Sequence, residues 1–289
     1  MGFPRTLFLH HLVLISLVSL TIAQPNFLGH FCSNYTSTSA YKTNRDTLLS
    51  SLASNTDQYG FYTSAAGKNP DTVYALVLCR GDVKLDACRE CISNSVANLT
   101  QLCPDKKEAI GWYDNCMLRY SNKSMKGIMS GDPTIFVWND KKNVTSWEKY
   151  KDVLEKLLEN LRDKAAAGGS LRKYASGNAT GPDAQNVYAL AQCTPDLSEN
   201  DCSSCLKGAI DDIPQCCDER AGGRVIRPSC HFRYELTPFF AEIPGSLAPA
   251  EAPSPPTSSI PSPTGSTPSP LTGAAALGNL IMLALVLML

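Results

Sequence analysis

The sequence predicts an α+β protein of two tandem, disulfide-stapled domains. Three observations carry that prediction. Five cysteines, Cys79, Cys88, Cys91, Cys103 and Cys116, each have a counterpart 114 residues later: Cys193, Cys202, Cys205, Cys217 and Cys230. All twelve cysteines lie in the interior of the chain, between an apolar leader and a Pro/Ser/Thr-rich tail. Within the repeated stretch, segments of helical period alternate with β-branched and aromatic runs.

The repeat is the strongest of the three. At the same offset Val73-Tyr74-Ala75-Leu76 matches Val187-Tyr188-Ala189-Leu190, Asp82 matches Asp196, and Arg119-Tyr120 matches Arg233-Tyr234. One ungapped offset shared by five cysteines marks two homologous units. The boundary falls near 141–145, which gives a first domain over 24–140 and a second over 146–240.

The elements follow in chain order. Residues 46–52 and 147–164 read as helices. In the second, Val153, Leu154, Leu157, Leu158 and Leu161 recur at i, i+3, i+4 and make one apolar face. Residues 85–99 and 198–210 read as second helices, each opened by an Asp or Ser cap candidate. Residues 59–64, 73–78, 108–113 and 117–120 read as strands bounded by Gly, Pro or Asn. Helices between strands joined by short turns imply an antiparallel sheet covered on one face.

The two ends of the chain carry targeting signals. Residues 1–23 hold Arg5 and then an apolar run over 7–22, with small Thr21 and Ala23 ahead of a cut at Gln24. That pattern reads as a secretory signal peptide. Residues 244–272 form a Pro/Ser/Thr-rich linker that cannot bury a core. Residues 274–289 are apolar apart from Gly278 and Asn279, with no basic flank. Small residues, a polar spacer and a terminal apolar tail read as a glycolipid-anchor signal. Gly265 or Ser266 is the expected attachment site, 266–289 the removed propeptide, and the outer leaflet of the plasma membrane the destination.

Composition fits this compartment. An even cysteine count in a secreted chain reads as a disulfide framework. Five sequons, at Asn34, Asn98, Asn122, Asn143 and Asn178, are candidate N-glycosylation sites. The 26 basic residues nearly balance the 27 acidic ones, so nothing points to nucleic acid as a partner.

At this point the residues resemble a known family. Cys79-x8-Cys88-x2-Cys91 and Cys193-x8-Cys202-x2-Cys205 are similar to the signature of plant cysteine-rich repeat secretory proteins, which carry ginkbilobin-homologous, or salt-stress/antifungal, domains. The segments Gln192-Cys-Thr-Pro-Asp-Leu-Ser198 and 216–225 resemble the second such domain of cysteine-rich receptor-like kinases. The resemblance implies, in each domain, two helices packed on a twisted antiparallel sheet of about five strands. It implies bridges Cys32–Cys103, Cys79–Cys88 and Cys91–Cys116 in the first domain, and Cys193–Cys202 and Cys205–Cys230 in the second. Cys217 then lacks the partner that Cys32 supplies in the first copy, because Ser146 stands at that offset. Cys216 and Cys217 either bridge each other or remain as thiols or otherwise paired.

Three further chemistries compete with this framework. Cys88-x2-Cys91 and Cys202-x2-Cys205 have redox-pair spacing, but nothing basic lies within the second pair. Cys88, Cys91, Cys103 and Cys116 could supply four thiolates to zinc, yet an oxidising route favours bridges. No nucleophile elbow or triad spacing occurs, and Asp211-Asp212 reads as a solvated helix end. No catalytic residue, metal or cofactor is expected.

The resemblance implies a non-enzymatic binding module at the cell surface or in the apoplast, in stress or defence signalling. Its partners would be other cell-surface proteins, such as receptor-like kinase ectodomains, or cell-wall glycans. The alternatives are a mannose-binding antifungal protein and a structural wall or plasmodesmal adhesion protein. In mannose-binding members, an Asn after the first cysteine, an Arg six residues before the last and a Glu five residues after it hold the sugar. The first domain has Ser33, Ile110 and Ser121 there. The second keeps Arg224 and Glu235, with no clear counterpart of the Asn. Arg224 and Glu235 are expected to form an ion pair that pins two strands, so neither domain is expected to bind mannose more than weakly.

Overall fold

A computed structural model describes residues 26–140, 144 and 146–241. It contains two five-stranded antiparallel sheets, in the orders β1-β4-β5-β3-β2 and β6-β9-β10-β8-β7. The first domain runs β1 (Phe27–Cys32), α1 (Ser39–Asn55), β2 (Phe61–Ala66), β3 (Val73–Cys79), α2 (Leu85–Leu102), β4 (Ala109–Tyr113) and β5 (Cys116–Ser121). The second runs β6 (Ile135–Trp138), α3 (Trp147–Ala166), β7 (Lys173–Thr180), β8 (Asn186–Cys193), α4 (Glu199–Asp211), the short α5 (Ile213–Cys216), β9 (Gly223–Ile226) and β10 (Cys230–Glu235). The α+β class, the tandem arrangement and the sheet-plus-helices architecture are those the sequence implied.

Each sheet has a helix-side face and an outer face, and the period of two assigns residues to them. On β3, Val73, Ala75, Val77 and Cys79 join the helix-side core, while Leu76 and Leu78 join a separate cluster on the other face. Both faces are buried, which is why this strand is continuously apolar rather than alternating. On β10, Cys230, Phe232 and Tyr234 point into the helix-side core, leaving His231, Arg233 and Glu235 on the outer face. The apolar stripe of α3 is Tyr150, Leu154, Leu158, Leu161 and Ala165, at steps of four, four, three and four. Arg45 is a buried cation on α1, 2 % exposed. It is kept there by Asp46, by the carbonyls of Cys103 and Pro104 and by the Tyr120 ring.

The outer faces meet across the domain seam. Leu76, Leu78, Ile110, Trp112 and Met117 of the first domain cluster with Ile226 of the second, and Ile135 packs against them. Gln192, also buried, donates to the carbonyl of Cys79 at 2.9 Å and accepts from the amide of Gly81 at 3.2 Å.

Five expectations need correction. The boundary at 141–145 is too late, because β6 belongs to the second sheet, pairing Ile135 with Ile226 and Trp138 with Gly223. The counterpart of Cys32 is therefore not Ser146. Cys32 pairs with Ala109 and Trp138 with Gly223, so this edge strand follows an offset of 106 rather than 114. The extra residues are spread over the loop before α3, α3 itself (20 residues against 17 in α1) and β7 (8 against 6 in β2), where no cysteine marks the register. The helix expected at 46–52 starts at Ser39, where Thr38 caps it by accepting from the Tyr41 amide. The acidic cap of α2 is missing: its N-cap is Lys84, and Asp82 instead accepts from Arg80 at 2.6 and 3.0 Å. By contrast, Ser198 caps α4, accepting from Asp201. Finally, the strand expected at 59–64 begins at Phe61, because residues 57–60 form a turn closed by the Gly60 amide on the Asp57 carbonyl. Gly60 has φ +73°, and a side chain there would meet the Cys79 Cβ.

Candidate functional site

The corrected register of β6 brings a third residue beside Arg224 and Glu235. The Asn139 amide donates to the Gly222 carbonyl at 3.0 Å, and the Ser33 amide donates to the Glu108 carbonyl at 2.9 Å. Gly222 is the repeat counterpart of Glu108, so Asn139 occupies in the second domain the place of Ser33 in the first. This is the position after the first cysteine, hidden because Trp138 replaces that cysteine. An amide side chain directly after an aromatic strand was the signal available; the absent cysteine removed the ruler needed to align it.

Asn139, Arg224 and Glu235 line one open cleft at the end of β6, β9 and β10, together with Val137, Trp138, Asp140, Gly222 and Gly223. Trp138 is 44 % exposed there. Both glycines lie in close approach to neighbouring atoms. A Cβ on Gly222 would collide with the Glu235 carboxylate, and one on Gly223 with the Cys217 sulfur.

Arg224 and Glu235 do not pair with each other as an ion pair, contrary to the expectation. Glu235 accepts from Arg233 at 3.1 Å, and the Arg233 guanidinium lies 4.1 Å from the Phe239 ring centre. Arg224 donates through Nη1 to Asp114, on the β4–β5 turn of the first domain. Arg80 and Arg233 also approach Asp114, each at 3.4 Å. Burial works against the Asp114 charge, but Arg224, Arg233 and Arg80 outweigh it and hold the carboxyl below its ordinary pKa. His231 sits beside this cluster. Burial first, then Arg80 and Arg224, push its pKa down to about 4, against the opposing pull of Asp82 and Asp114.

The equivalent cleft of the first domain is lined by Phe31, Glu108, Ile110, Arg119, Asp132 and Pro133. Ile110 stands where Arg224 does, and it is 2 % exposed, committed to the seam. Glu108 replaces Gly222 and pairs with Arg119, the counterpart of Arg233, at 3.3 Å. Ser33 and Ser121 are both buried.

The cysteines are joined as Cys32–Cys103, Cys79–Cys88, Cys91–Cys116, Cys193–Cys202, Cys205–Cys230 and Cys216–Cys217. The neighbours Cys216 and Cys217 thus take each other, filling the place of the long-range third bridge of the first domain. His30, Cys32 and Cys103 lie close enough to suggest metal ligands, but the two sulfurs are spent on one bridge. Asn34, Asn122 and Asn178 are exposed, and Asn98 is half-buried on α2. Asn143, the leader at 1–23, and Gly265 and Ser266 lie outside the described residues.

Residues 30–123 and 138–237 each match the salt stress response/antifungal family. The chain belongs to that family. A cysteine-rich receptor-like protein kinase 25 from Arabidopsis thaliana is 41% identical over 267 residues, covering 89% of this chain but only 39% of the kinase. This family member therefore spans well under half of that relative and does not cover its kinase domain. An antimicrobial ginkbilobin-2-like protein from Castanea crenata is 42% identical over 234 residues, 79% of this chain and 94% of the relative. In three dimensions the chain is similar to the tandem DUF26 ectodomain of the Arabidopsis thaliana cysteine-rich receptor-like protein PDLP8, with a TM-score of 0.64 at 25% identity over 73% of this chain and 98% of that one. What this chain matches in these relatives is the non-kinase part of a receptor-like kinase, an antimicrobial protein and a receptor-like ectodomain. No helix among the described residues is long and apolar enough to cross a membrane.

Proposed function

We propose that this family member is a non-enzymatic extracellular binding module whose second-domain cleft takes a neutral hexose of the mannose class. The observation that supports this reading is the convergence of Asn139, Arg224 and Glu235 on one cleft beside the exposed Trp138. Arg224 offers fixed N–H donors, Glu235 offers acceptors, and the Asn139 amide offers both. Vicinal hydroxyls need that mixture, while the indole ring suits the apolar C–H face of a sugar. Glu235 and Asp140 line the same cleft and would repel a uronate carboxylate. Titration calorimetry of the intact ectodomain with methyl mannoside tests the proposal. The expected dissociation constant is on the order of a millimolar, about −4 kcal/mol, with binding lost in Arg224→Ala while the protein remains folded. A folded protein that ignores mannose at tens of millimolar (roughly −2 kcal/mol or weaker) would remove the sugar reading.

A second reading is a protein partner at the cell surface, favoured by the similarity to a receptor-like kinase over its non-kinase part. Capture of purified receptor-like kinase ectodomains, with unrelated ectodomains as controls, distinguishes it. Either role suits a tethered protein, and we infer a glycolipid attached at Gly265 or Ser266. Phosphatidylinositol-specific phospholipase C is expected to release the protein from intact cells; release by detergent alone, with residues 277–289 still attached, counts against the anchor.

A further inference from the structure

Arg224 faces two ways. It lines the open cleft with Trp138, Asn139 and Glu235, and it also lines the enclosed space at the domain seam with Arg80, Asp114 and His231. Its hydrogen bond goes to the seam: Nη1 donates to Oδ1 of Asp114, a residue 110 positions away in the other domain. The carboxylate that shares its cleft, Glu235, is held by Arg233 instead. The side chain most needed for a sugar is thus fixed by a group that no sugar in the cleft would displace. The cleft face of its guanidinium keeps donors in reserve, because an arginine has five N–H groups and Asp114 occupies Nη1.

We propose that Asp114 of the first domain is a positioning residue for the second-domain cleft, so that the cleft's affinity for a hexose depends on the first domain being packed against it. The inference rests on the sugar reading of the cleft for its ligand, but not for its geometry. An arginine has long rotor freedom, and a ligand that must order it binds more weakly than one that meets it already ordered. Asp114 supplies that order through a charge-assisted bond. Arg80 at 3.4 Å in turn restrains Asp114 from its own domain. The counterpart of Asp114 in the second domain is Pro228, which can neither charge nor accept through a side chain. The first-domain cleft therefore receives no reciprocal support, and the coupling runs one way.

The experiment compares the intact ectodomain with Asp114→Asn, Asp114→Glu and Gln192→Ala, reading methyl mannoside affinity and the side-chain NMR signals of Arg224. Gln192→Ala removes hydrogen bonds across the same seam without touching Arg224. The expected result is an affinity loss of about tenfold or more in Asp114→Asn, an intermediate loss in Asp114→Glu, and a change within about twofold in Gln192→Ala. The slowly exchanging Arg224 guanidinium signal should vanish in Asp114→Asn and persist in Gln192→Ala. Equal losses in Asp114→Asn and Gln192→Ala overturn the proposal, since a loosened seam would then explain both. If the wild type binds no mannoside, the sugar reading falls, and the guanidinium signal decides the positioning role: its loss in Asp114→Asn supports it, its persistence overturns it. Should Asp114→Asn fail to fold, Asp114→Glu decides by the same readouts, and identity with wild type in both counts against the role.

Discussion

The same cleft appears in both domains and is built for different purposes. In the second domain the edge of the sheet carries Trp138, Asn139, Arg224 and Glu235 around a glycine, Gly222. In the first the corresponding edge carries Ser33, Ile110 and Ser121, and Glu108 replaces the glycine. One arginine is common to both: Arg233 pairs with Glu235, and Arg119 pairs with Glu108. Its carboxylate partner has moved from the end of one strand to the start of another. Ile110 then joins the apolar seam, while Arg224 reaches across that seam to Asp114. One copy has been turned into a docking surface for the other, and the other keeps the polar cleft. A duplicated domain can divide its tasks in this way because the helix-side core, not the outer face, holds each copy together.

Four measurements would break or sharpen this comparison. The largest expected effect lies in the third bridge. Cys32–Cys103 spans 71 residues in the first domain, whereas Cys216–Cys217 spans one in the second. Closing the long loop restricts the unfolded chain by about 4 kcal/mol on the chain-entropy argument, and closing a dipeptide restricts it hardly at all. Replacing Cys32 and Cys103 by Ala should therefore lower the first domain's melting temperature far more than replacing Cys216 and Cys217 lowers the second's. Equal losses would contradict the asymmetry.

Next comes the seam. Ile110→Arg places a charge where the first domain buries an apolar side chain, and it should destabilise the ectodomain by about 3 kcal/mol without creating a sugar site. Denaturant unfolding measures the first part and calorimetry the second. A stable, mannose-binding Ile110→Arg variant would show that the two clefts are interchangeable after all.

A smaller effect concerns acid. His231 faces Arg80, Arg224, Asp82 and Asp114 at the seam, where the first domain has Met117. Its folded pKa of about 4 lies below the ordinary 6.5. Between those values the unfolded chain holds the extra proton, so stability falls as pH falls from about 6.5 to about 4 and levels off below. The loss expected is on the order of 2 kcal/mol. Asp114, with a lowered carboxyl pKa, loses its contribution only at still lower pH. Melting temperatures of wild type and His231→Gln across that range test this; parallel curves would show that His231 is not the sensor.

The smallest effect separates the second helices. Ser198 caps α4 through its hydroxyl, while Lys84 leaves α2 without a side-chain cap. Ser198→Ala should cost about 1 kcal/mol, and Lys84→Ser should stabilise by up to about 1 kcal/mol. Chemical denaturation of each variant resolves both signs.

Much of the fold was legible because its markers are local. The stripe on α3 is visible as leucines at helical spacing, and the cysteine offset carries the duplication through every element from β3 to the end of α2 and again from β8 onward. The edge strands were not legible. β6 is four residues long with no cysteine, so the repeat ruler passed over it, placed the boundary and the counterpart of Cys32 wrongly and left the Asn without a counterpart. The start of α1 was missed because Ser39, Thr43 and Asn44 are weak helix formers, and a single capping threonine outweighs them only once Tyr41 is buried.

By itself the sequence determined the class, the duplication and the presence of a cysteine framework, because each of these rests on residue identity at a countable spacing, while Arg224 and Glu235 came from the resemblance to mannose-binding members. Only the tertiary structure decided which carboxylate holds Arg224. Glu235 is eleven residues away in sequence, on the neighbouring strand, and Asp114 is 110 residues away in another domain. Register sets which side chains share a cleft, and the packing of one sheet face on another sets which charges come within reach; neither quantity is written in the spacing of residues along the chain.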